Sequence, residues 1–387
     1  MIELDLNIDE RPIGTQIKVI GVGGAGGNAI NTMLEMNLSG VELIAANTDI
    51  LNLKNSKASI RIQLGKETTR GLGAGADPEI GKKAAEESRE EIKRYLKDTD
   101  LLFIVAGMGK GTGTGASPII ADLAKEMHIL TIGIVTKPFL HESKKRMLVA
   151  EGGISKLKDL VDTLIVIPNE KLSEVYTNQP VFDAYNQANQ ILYEAAKAIS
   201  DIINYSGYMN VDFADVKKIM SIKGHGHFGF GVGEGEQRAL QAVEKAIDNP
   251  LLSDYSLDRS KGVLLNIIAN KDFKMDELKV INEKITNLIS EEGEVITGLI
   301  FDESLQGELK ITIIATGLDS DEQTDKIPPP VMKEQNDFKK DIHDVQHKTD
   351  EKYRHDNMIK PHRKINQKEK EKNEQMEIPS FLKQFSN

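Results

Sequence analysis

The chain has no cysteine, no long apolar run and no excess of basic residues. Without cysteine, a disulfide framework and thiolate metal sites are excluded, and a reducing compartment is expected. No stretch approaches the ~18 consecutive apolar residues that cross a bilayer, and the acidic start MIELDLNIDER lacks the apolar segment of a signal peptide. The formal net charge of −11 argues against binding nucleic acid, which needs clustered lysine and arginine. We therefore expect a cytoplasmic protein that neither inserts into a membrane nor binds nucleic acid.

Apolar runs alternate with amphipathic segments from residue 17 onward. The segments between the runs have a helical pattern, as in residues 78–98. Near-continuous apolar strands separated by helices predict a parallel sheet that is covered on both faces, and so an α/β fold. The runs that we interpret as buried strands are 17–23, 41–48, 101–108, 129–136 and 163–169.

Two changes of pattern divide the chain. Apolar residues recur with the helical period in a long helix that begins at residue 181, and a second, smaller α/β pattern follows it. After Leu318 the sequence is too polar to offset the entropy of ordering, which predicts a disordered linker. The predicted segments are an N-terminal extension (1–16), a parallel-sheet domain (17–180), a central helix (181–207), a smaller C-terminal α/β domain (208–318), a disordered linker (319–375) and a tail peptide (376–387).

The tail peptide regains an apolar pattern after the linker. Ile378, Phe381, Leu382 and Phe385 are spaced i, i+3, i+4 and i+7, which places them on one face of a helix. A short apolar stripe on a tether indicates a docking peptide for the groove of a partner. The alternative is a frayed terminus whose apolar residues are there by chance.

The first glycine-rich loop, residues 21–28, follows a predicted strand and precedes a predicted helix. Gly21, Gly23 and Gly26 fit the dinucleotide pattern G-x-G-x-x-G, and Asp49 lies at the end of the next strand. Taken alone, the loop is compatible with an NAD-dependent oxidoreductase. Its backbone N–H groups and the following helix N-terminus are suited to binding a phosphate in either case.

Two further glycine-rich loops, residues 71–79 and 109–115, favour a nucleoside triphosphate over a dinucleotide. The third loop, residues 109–115, reads GKGTGTG and follows a buried strand. It is not a Walker loop, because that pattern needs glycine at position 104 and serine or threonine at 111, where this chain has Ile104 and Gly111. Three such loops at the carboxyl ends of parallel strands would surround a polyphosphate from several sides. The alternative for any one loop is a tight turn that needs positive φ.

An acidic loop, NVDFADV, follows the long helix. Its carboxylates and amide can orient a water molecule or accept its proton, although the alternative is a helix N-terminus with an acidic cap. Tyr185 and Asn189 lie at the start of the helix, where they can meet a base, whereas this loop lies beyond its other end, roughly 30 Å away at 1.5 Å per residue. Either the loop is structural or it serves a nucleotide on another subunit, through a heterologous interface that yields a filament. Its polar residues are Asn210, Asp212 and Asp215.

These segments together resemble the FtsZ family of tubulin-like division GTPases, and the match runs from about residue 15 to 318. GKGTGTG is similar to the phosphate loop of that family, usually GGGTGTG, and NVDFADV resembles its catalytic loop. IVTKPFLHESKKR (134–146) is the counterpart of the family's VVTKPF…E…R. EIPSFLKQF is similar to the C-terminal peptide that binds membrane-tethering division proteins.

The resemblance implies a GTPase that polymerises head to tail and forms the septal-ring scaffold in the cytoplasm at mid-cell. Residues 17–180 would be the GTP-binding domain and 208–318 the C-terminal GTPase-activating domain. GTP or GDP would bind with Mg²⁺, with K⁺ as a further candidate ion. GTP would be hydrolysed to GDP and phosphate at the interface between subunits, and the tail would bind membrane-tethering and regulatory division proteins.

The resemblance also implies which residues of this sequence form the site, since each functional position of the family has a matching position here. Asn210, Asp212 and Asp215 would complete the active site of the neighbouring subunit. The residues implied to hold the nucleotide are Gly24, Ala25, Gly26, Gly27 and Asn28 in the first loop, Gly73, Ala74 and Gly75 near the γ-phosphate, Gly109, Lys110, Gly111, Thr112 and Gly113 around the phosphates, Glu142, Arg146 and Asn169 at the ribose, and Tyr185 and Asn189 at the guanine.

Two residues depart from the family pattern. Lys110 replaces the middle glycine of the phosphate loop. Either it is strained because that position needs positive φ, or its ammonium lies near the phosphates, or it points into water. A loop disabled by Lys110 would leave a scaffold that binds GTP without hydrolysing it. Ser143 also replaces a glycine, and little effect is expected from that change.

A pair of histidines lies in the stretch GHGHFGFG. We interpret this stretch as a glycine-rich loop in the C-terminal domain. His225 and His227 have no further ligands nearby in the sequence, so we expect no metal site there.

Overall fold

The ten strands of the described residues form a single sheet. The computed structural model describes residues 14–175, 180–204, 207–209, 211–248, 260–287 and 289–318, so the linker and the tail peptide lie outside the described residues. In chain order the strands are β1 (Ile17–Val22), β2 (Glu42–Asn47), β3 (Ile60–Gln63), β4 (Leu101–Gly107), β5 (Leu130–Lys137), β6 (Thr163–Pro168), β7 (Gly224–Glu234), β8 (Ser260–Ala269), β9 (Ile289–Phe301) and β10 (Glu308–Leu318). Their order across the sheet is β3-β2-β1-β4-β5-β6-β7-β10-β8-β9.

Helices cover the sheet and connect its strands. Two short 3₁₀ turns, Leu140–Glu142 and Gly235–Gln237, add to them. The α-helices are α1 (Gly23–Glu35), α2 (Ile50–Asn55), α3 (Lys66–Thr69), α4 (Pro78–Glu87), α5 (Arg89–Leu96), α6 (Thr112–Glu126), α7 (Lys144–Lys158), α8 (Asn169–Val175), α9 (Val181–Asn204), α10 (Phe213–Met220), α11 (Arg238–Ile247) and α12 (Met275–Thr286).

The first six strands are parallel, as the apolar runs predict. All five predicted strands are present, and side chains on both faces of β1, β4 and β5 are buried in two separate clusters. The sixth, β3, was not predicted because it has only four residues and is partly exposed. The predicted helical stretch 78–98 divides at Ser88, whose hydroxyl oxygen accepts a hydrogen bond from the Gly65 N–H (2.9 Å). The parallel-sheet α/β prediction is confirmed.

The sheet continues into the C-terminal part of the chain through β7. This strand pairs in parallel with β6 over three residues and is antiparallel to β10, after which β8 and β9 complete the sheet. The interpretation of GHGHFGFG as a loop is therefore wrong, because it begins β7. Its later glycines allow the backbone of α11 to approach closely: a Cβ at Gly231 would lie 2.1 Å from the Ala242 carbonyl oxygen.

The long helix α9 is confirmed and contributes to the core. Leu192, Ala195, Ile199 and Ile202 are buried in the cluster that also covers one face of the parallel strands. Within the ranges given above, no helix combines the length and the apolar character needed to cross a bilayer. The helix thus links the strands that precede it to α10 and the antiparallel part of the sheet.

Candidate functional site

A cavity of about 650 Å³ opens where the parallel strands end. Its lining includes the final residues of β1, β2 and β4 and residues from all three glycine-rich loops. The carboxyl edge of a parallel sheet is the usual position of ligand sites in such folds. The volume lies in the range of ~300–1,000 Å³ that is common for small-molecule sites.

Most of the residues expected to hold a nucleotide line this cavity. Three do not, namely Gly26, Gly27 and Gly109. Those that line it are Gly24, Ala25, Asn28, Gly73, Ala74, Gly75, Lys110, Gly111, Thr112, Gly113, Glu142, Arg146, Asn169, Tyr185 and Asn189.

Two helix N-termini at the cavity lack the features that would neutralise them. Neither α1, capped by Val22, nor α6, capped by Gly111, has a side chain bonded to its first N–H groups. Neither has an acidic residue in its first turn. The free N–H groups and the positive ends of both helix dipoles are therefore available to an anion.

The loop between β4 and α6 needs glycine at position 109. Gly109 has φ 98°, and a Cβ there would lie 2.8 Å from the Arg146 carbonyl oxygen. Its N–H donates to the Thr114 hydroxyl (2.9 Å), which holds the turn. Lys110 is not among the residues with positive φ, so the strained alternative for this lysine is wrong. Lys110 is exposed and lines the cavity.

Thr48 joins the second and third loops at the end of β2. Its buried hydroxyl bonds to the Thr112 hydroxyl (2.6 Å), and its carbonyl oxygen accepts from the Gly73 N–H (3.2 Å). Thr48 was not predicted, and neither were the other lining residues Asn47, Asn52, Thr136 and Pro138. Their only signal in the sequence is that they end or follow apolar runs.

Polar atoms on one side of the cavity are buried without a partner. The Arg146 guanidinium forms an ion pair with Glu142, and one Glu142 oxygen accepts from the Phe139 N–H (3.1 Å). Among the described residues, however, neither Arg146 Nε nor Asn169 Oδ1 has a hydrogen-bond partner. Because a buried polar group without a partner is costly, this donor and acceptor fit a ligand with hydroxyl groups.

The start of α9 supplies an aromatic ring to the cavity. Tyr185 is 41% exposed and stands edge-to-face with Phe139, with ring centroids 5.2 Å apart. Asn189 lies one turn further along α9 and is half-buried. Ala188 and Leu192 add apolar surface. A flat heterocycle with polar edges fits between such groups.

Asp49 does not offer the free carboxylate that a dinucleotide site needs. Its side chain caps α2, accepting from the Leu51 N–H (2.8 Å), the Asn52 N–H (3.2 Å) and the Asn52 side chain (2.7 Å). A Rossmann site uses an acidic residue near this position to bind the ribose hydroxyls. An NAD-dependent enzyme built on this site would lack the contact between Asp49 and the ribose, which weakens that alternative.

The acidic loop lies outside the cavity. Asp212 is the N-cap of α10 and accepts from the Asp215 N–H (2.8 Å), while Asp215 accepts from the Asp212 N–H (3.3 Å). Asn210 lies outside the described residues. Within one chain these carboxylates therefore act as a helix cap, and each keeps a second oxygen for other partners.

Ser143 occupies a backbone conformation that disfavours side chains. It precedes α7 with φ 139°, and its hydroxyl caps the helix by accepting from the Arg146 N–H (3.3 Å). Since this region of φ is nearly restricted to glycine, the expectation of little effect from Ser143 is wrong at the level of the backbone.

Comparison with known proteins identifies two matching family models. Residues 16–177 match the Tubulin/FtsZ family, GTPase domain, and residues 224–319 match the FtsZ family, C-terminal domain. The cell division protein FtsZ of Coxiella burnetii is 46% identical over 341 residues, which cover 87% of this chain and 88% of that protein. FtsZ of Pseudomonas aeruginosa is 48% identical over 319 residues, covering 82% of this chain and 80% of that protein.

A solved structure has the same fold. An FtsZ dimer from M. jannaschii superposes with a TM-score of 0.74 at 40% sequence identity, covering 78% of this chain and 88% of that chain. Together the two family models cover the strands β1 to β6 and β7 to β10, and residues 178–223, which include α9, lie between them.

Proposed function

Because this chain belongs to the FtsZ family of tubulin-like GTPases, we propose that it assembles head to tail and that each GTP site is completed by the acidic loop of the next copy. It is a GTP-dependent cell-division protein that binds GTP and GDP and polymerises with itself.

One observation carries the head-to-tail arrangement: the cavity and the acidic loop lie at opposite ends of α9. Tyr185 and Asn189 line the cavity at the start of this 24-residue helix, which is about 36 Å long at 1.5 Å per residue. Asp212 follows its other end. A carboxylate there cannot reach the nucleotide of its own chain, but it can reach that of a copy stacked end to end.

Exposed apolar side chains near both ends support this arrangement. Leu51, Leu72 and Leu140 are exposed within two residues of cavity-lining positions or line the cavity themselves. Tyr208 and Met209 are exposed just before Asp212. Burial of these side chains between copies would contribute to association, since apolar burial stabilises by about 25 cal/mol per Å².

The residues of the cavity have separate tasks in the proposed mechanism. The N-termini of α1 and α6 bind the phosphates, Arg146 Nε and Asn169 Oδ1 bind the ribose, and Tyr185 stacks on the guanine while Asn189 bonds to its edge. Asp212 and Asp215 of the next copy orient the attacking water and accept its proton. Hydrolysis therefore follows assembly.

Ions and partners complete the proposal. Among the described residues no three His, Asp or Glu side chains group as metal ligands, so Mg²⁺ would enter with the nucleotide and take most of its ligands from phosphates and water. K⁺ is proposed as a further ion. The tail residues Ile378, Phe381, Leu382 and Phe385, which lie outside the described residues, would dock to membrane-tethering or regulatory division proteins at mid-cell.

GTP hydrolysis per subunit, measured against protein concentration with Mg²⁺ and K⁺ present, tests the shared site. We expect a rate near zero that rises sharply above a threshold concentration. A rate per subunit that is independent of concentration would contradict a site built from two copies.

Asp212→Asn sharpens the test, because asparagine still accepts the Asp215 N–H and keeps the cap of α10. The variant should bind GTP and assemble, with hydrolysis reduced by about 100-fold or more, which is the usual size of a general-base effect. Asp276→Asn, at the start of α12, is the matched control and should hydrolyse GTP like the unmodified protein.

A further inference from the structure

Lys110 is the residue of the cavity whose charge has no partner in the described part of the chain. Four charged residues line the cavity: Asp49, Lys110, Glu142 and Arg146. Asp49 is engaged as the cap of α2, and Glu142 pairs with Arg146. In the described ranges Lys110 forms no ion pair, and its backbone has an ordinary φ.

The surroundings of Lys110 are already suited to an anion. It lies one residue before the N-cap of α6, whose first turn has neither a capping side chain nor an acidic residue. The N-terminus of α1 opens into the same cavity. These two termini carry only partial positive charges, whereas a triphosphate carries several full negative charges. A full positive charge beside the termini would therefore strengthen the attraction for the phosphates.

We propose that the Lys110 ammonium binds the phosphates of the bound nucleotide and replaces part of the charge neutralisation that a divalent cation otherwise supplies. The inference rests on the proposed GTP site. It assigns Lys110 to binding, and it predicts that this protein retains nucleotide at low Mg²⁺ better than a variant without the charge. The contact should weaken with ionic strength, because Lys110 is exposed.

The test compares Lys110→Gln with Lys110→Arg and the unmodified protein. Dissociation constants for GTP and GDP are measured below the assembly threshold, with Mg²⁺ and with a chelator. We expect Lys110→Gln to bind about two- to fivefold more weakly with Mg²⁺, the size of a lost exposed charge contact, and to lose more affinity on chelation. Lys110→Arg should stay within about twofold of the unmodified protein, because it keeps the charge.

Two controls separate a phosphate contact from other effects. Lys93→Gln makes the same charge change on the exposed side of α5, outside the cavity, and should leave both affinities unchanged. Guanosine, which has no phosphate, should compete equally well against all four proteins.

The outcomes also separate this inference from the proposed function. Equal affinities of Lys110→Gln and the unmodified protein, with and without Mg²⁺, would overturn it even where GTP is bound and hydrolysed. Unchanged affinity with a raised assembly threshold would do the same, since Lys110 would then contact the next copy. Failure of the unmodified protein to bind GTP would instead reject the proposed function.

Discussion

At the scale of single residues, two positions of the first loop require glycine for different physical reasons. A Cβ at Gly21 would lie 2.3 Å from the Gly26 carbonyl oxygen, so packing within the protein excludes a side chain there. A Cβ at Gly24 would meet no protein atom within 4 Å, and Gly24 lines the cavity. The space beside Gly24 is therefore left for a ligand.

Gly24→Ala should separate binding from folding. We expect unchanged or slightly higher stability, because alanine is favoured over glycine in a helix by about 0.5–1 kcal/mol. GTP affinity should fall by about tenfold, equivalent to roughly 1.4 kcal/mol, because the added methyl group occupies the space of the phosphates. Thermal unfolding and GTP titration measure the two quantities.

Gly27→Ala is the control on the same helix. Its Cβ would also meet nothing within 4 Å, but Gly27 does not line the cavity. It should match Gly24→Ala in stability and the unmodified protein in GTP affinity. Equal GTP affinity for Gly24→Ala and the unmodified protein would show that the phosphates do not approach α1.

At the scale of elements, the start of α7 combines a favourable cap with an unfavourable backbone. The Ser143 hydroxyl accepts from the Arg146 N–H, yet φ at Ser143 is 139°. The helix in turn carries Arg146 one turn after Glu142, where the two form an ion pair at the cavity. The conformation of one residue thus influences the side of the cavity that we assign to the ribose.

Ser143→Gly should stabilise the protein by about 1 kcal/mol. Relief of strain contributes about 1–3 kcal/mol, while loss of the cap costs a few tenths and the more flexible unfolded chain up to about 1 kcal/mol. Ser143→Ala keeps the strain and loses the cap, so it should destabilise by about 1 kcal/mol. Urea unfolding measures both, and a destabilised glycine variant would show that Ser143 is not strained.

At the scale of the whole molecule, packing of α9 against the rest of the protein buries two of its acidic side chains, Glu194 and Asp201. Burial raises the pKa of the Glu194 carboxyl, although Lys197 and Lys310 oppose the effect. Burial also raises the pKa of Asp201, which pairs with Lys197. Charging these acids is thus less favourable in the folded protein than in the unfolded chain.

The raised pKa of Glu194 predicts the direction of a pH effect on stability. The contribution of Glu194 to stability is fully present below its unfolded pKa of about 4.3 and is lost as pH rises through the higher folded pKa. The free energy of unfolding of the unmodified protein should therefore fall relative to Glu194→Gln across this window. Urea unfolding at a series of pH values from 4 to 8 measures the difference.

The control for this pH effect is Glu151→Gln, which removes an exposed carboxylate from α7. It measures how much the loss of an exposed carboxylate changes the unfolding free energy at each pH. A Glu194→Gln difference that depends on pH no more than the difference of this control would show that burial does not perturb Glu194.

Local sequence patterns were sufficient to predict the parallel strands, the long helix and the order of the loops. Buried strands and an amphipathic helix have periodic patterns, because side-chain direction repeats every two residues in a strand and every 3.6 in a helix. Glycine-rich loops after such strands predicted a common edge, and the cavity there is lined by all three of them. The resemblance to a family of GTPases was recognised from the amino-acid sequences of four short segments, and the matching family models confirm it.

Other features depend on contacts between residues that are distant in the sequence, and these could be seen only in the folded protein. A glycine-rich stretch forms β7, against which the backbone of α11 packs closely, and the positive φ lies at Gly109 and not at Lys110, at a position where the Arg146 carbonyl oxygen leaves little room for a Cβ. Thr48 joined two loops, and within the described part of the chain Arg146 Nε and Asn169 Oδ1 were left without partners, through contacts that no local pattern encodes. Local periodicity specifies elements, whereas close packing between them specifies which atoms remain available to a ligand.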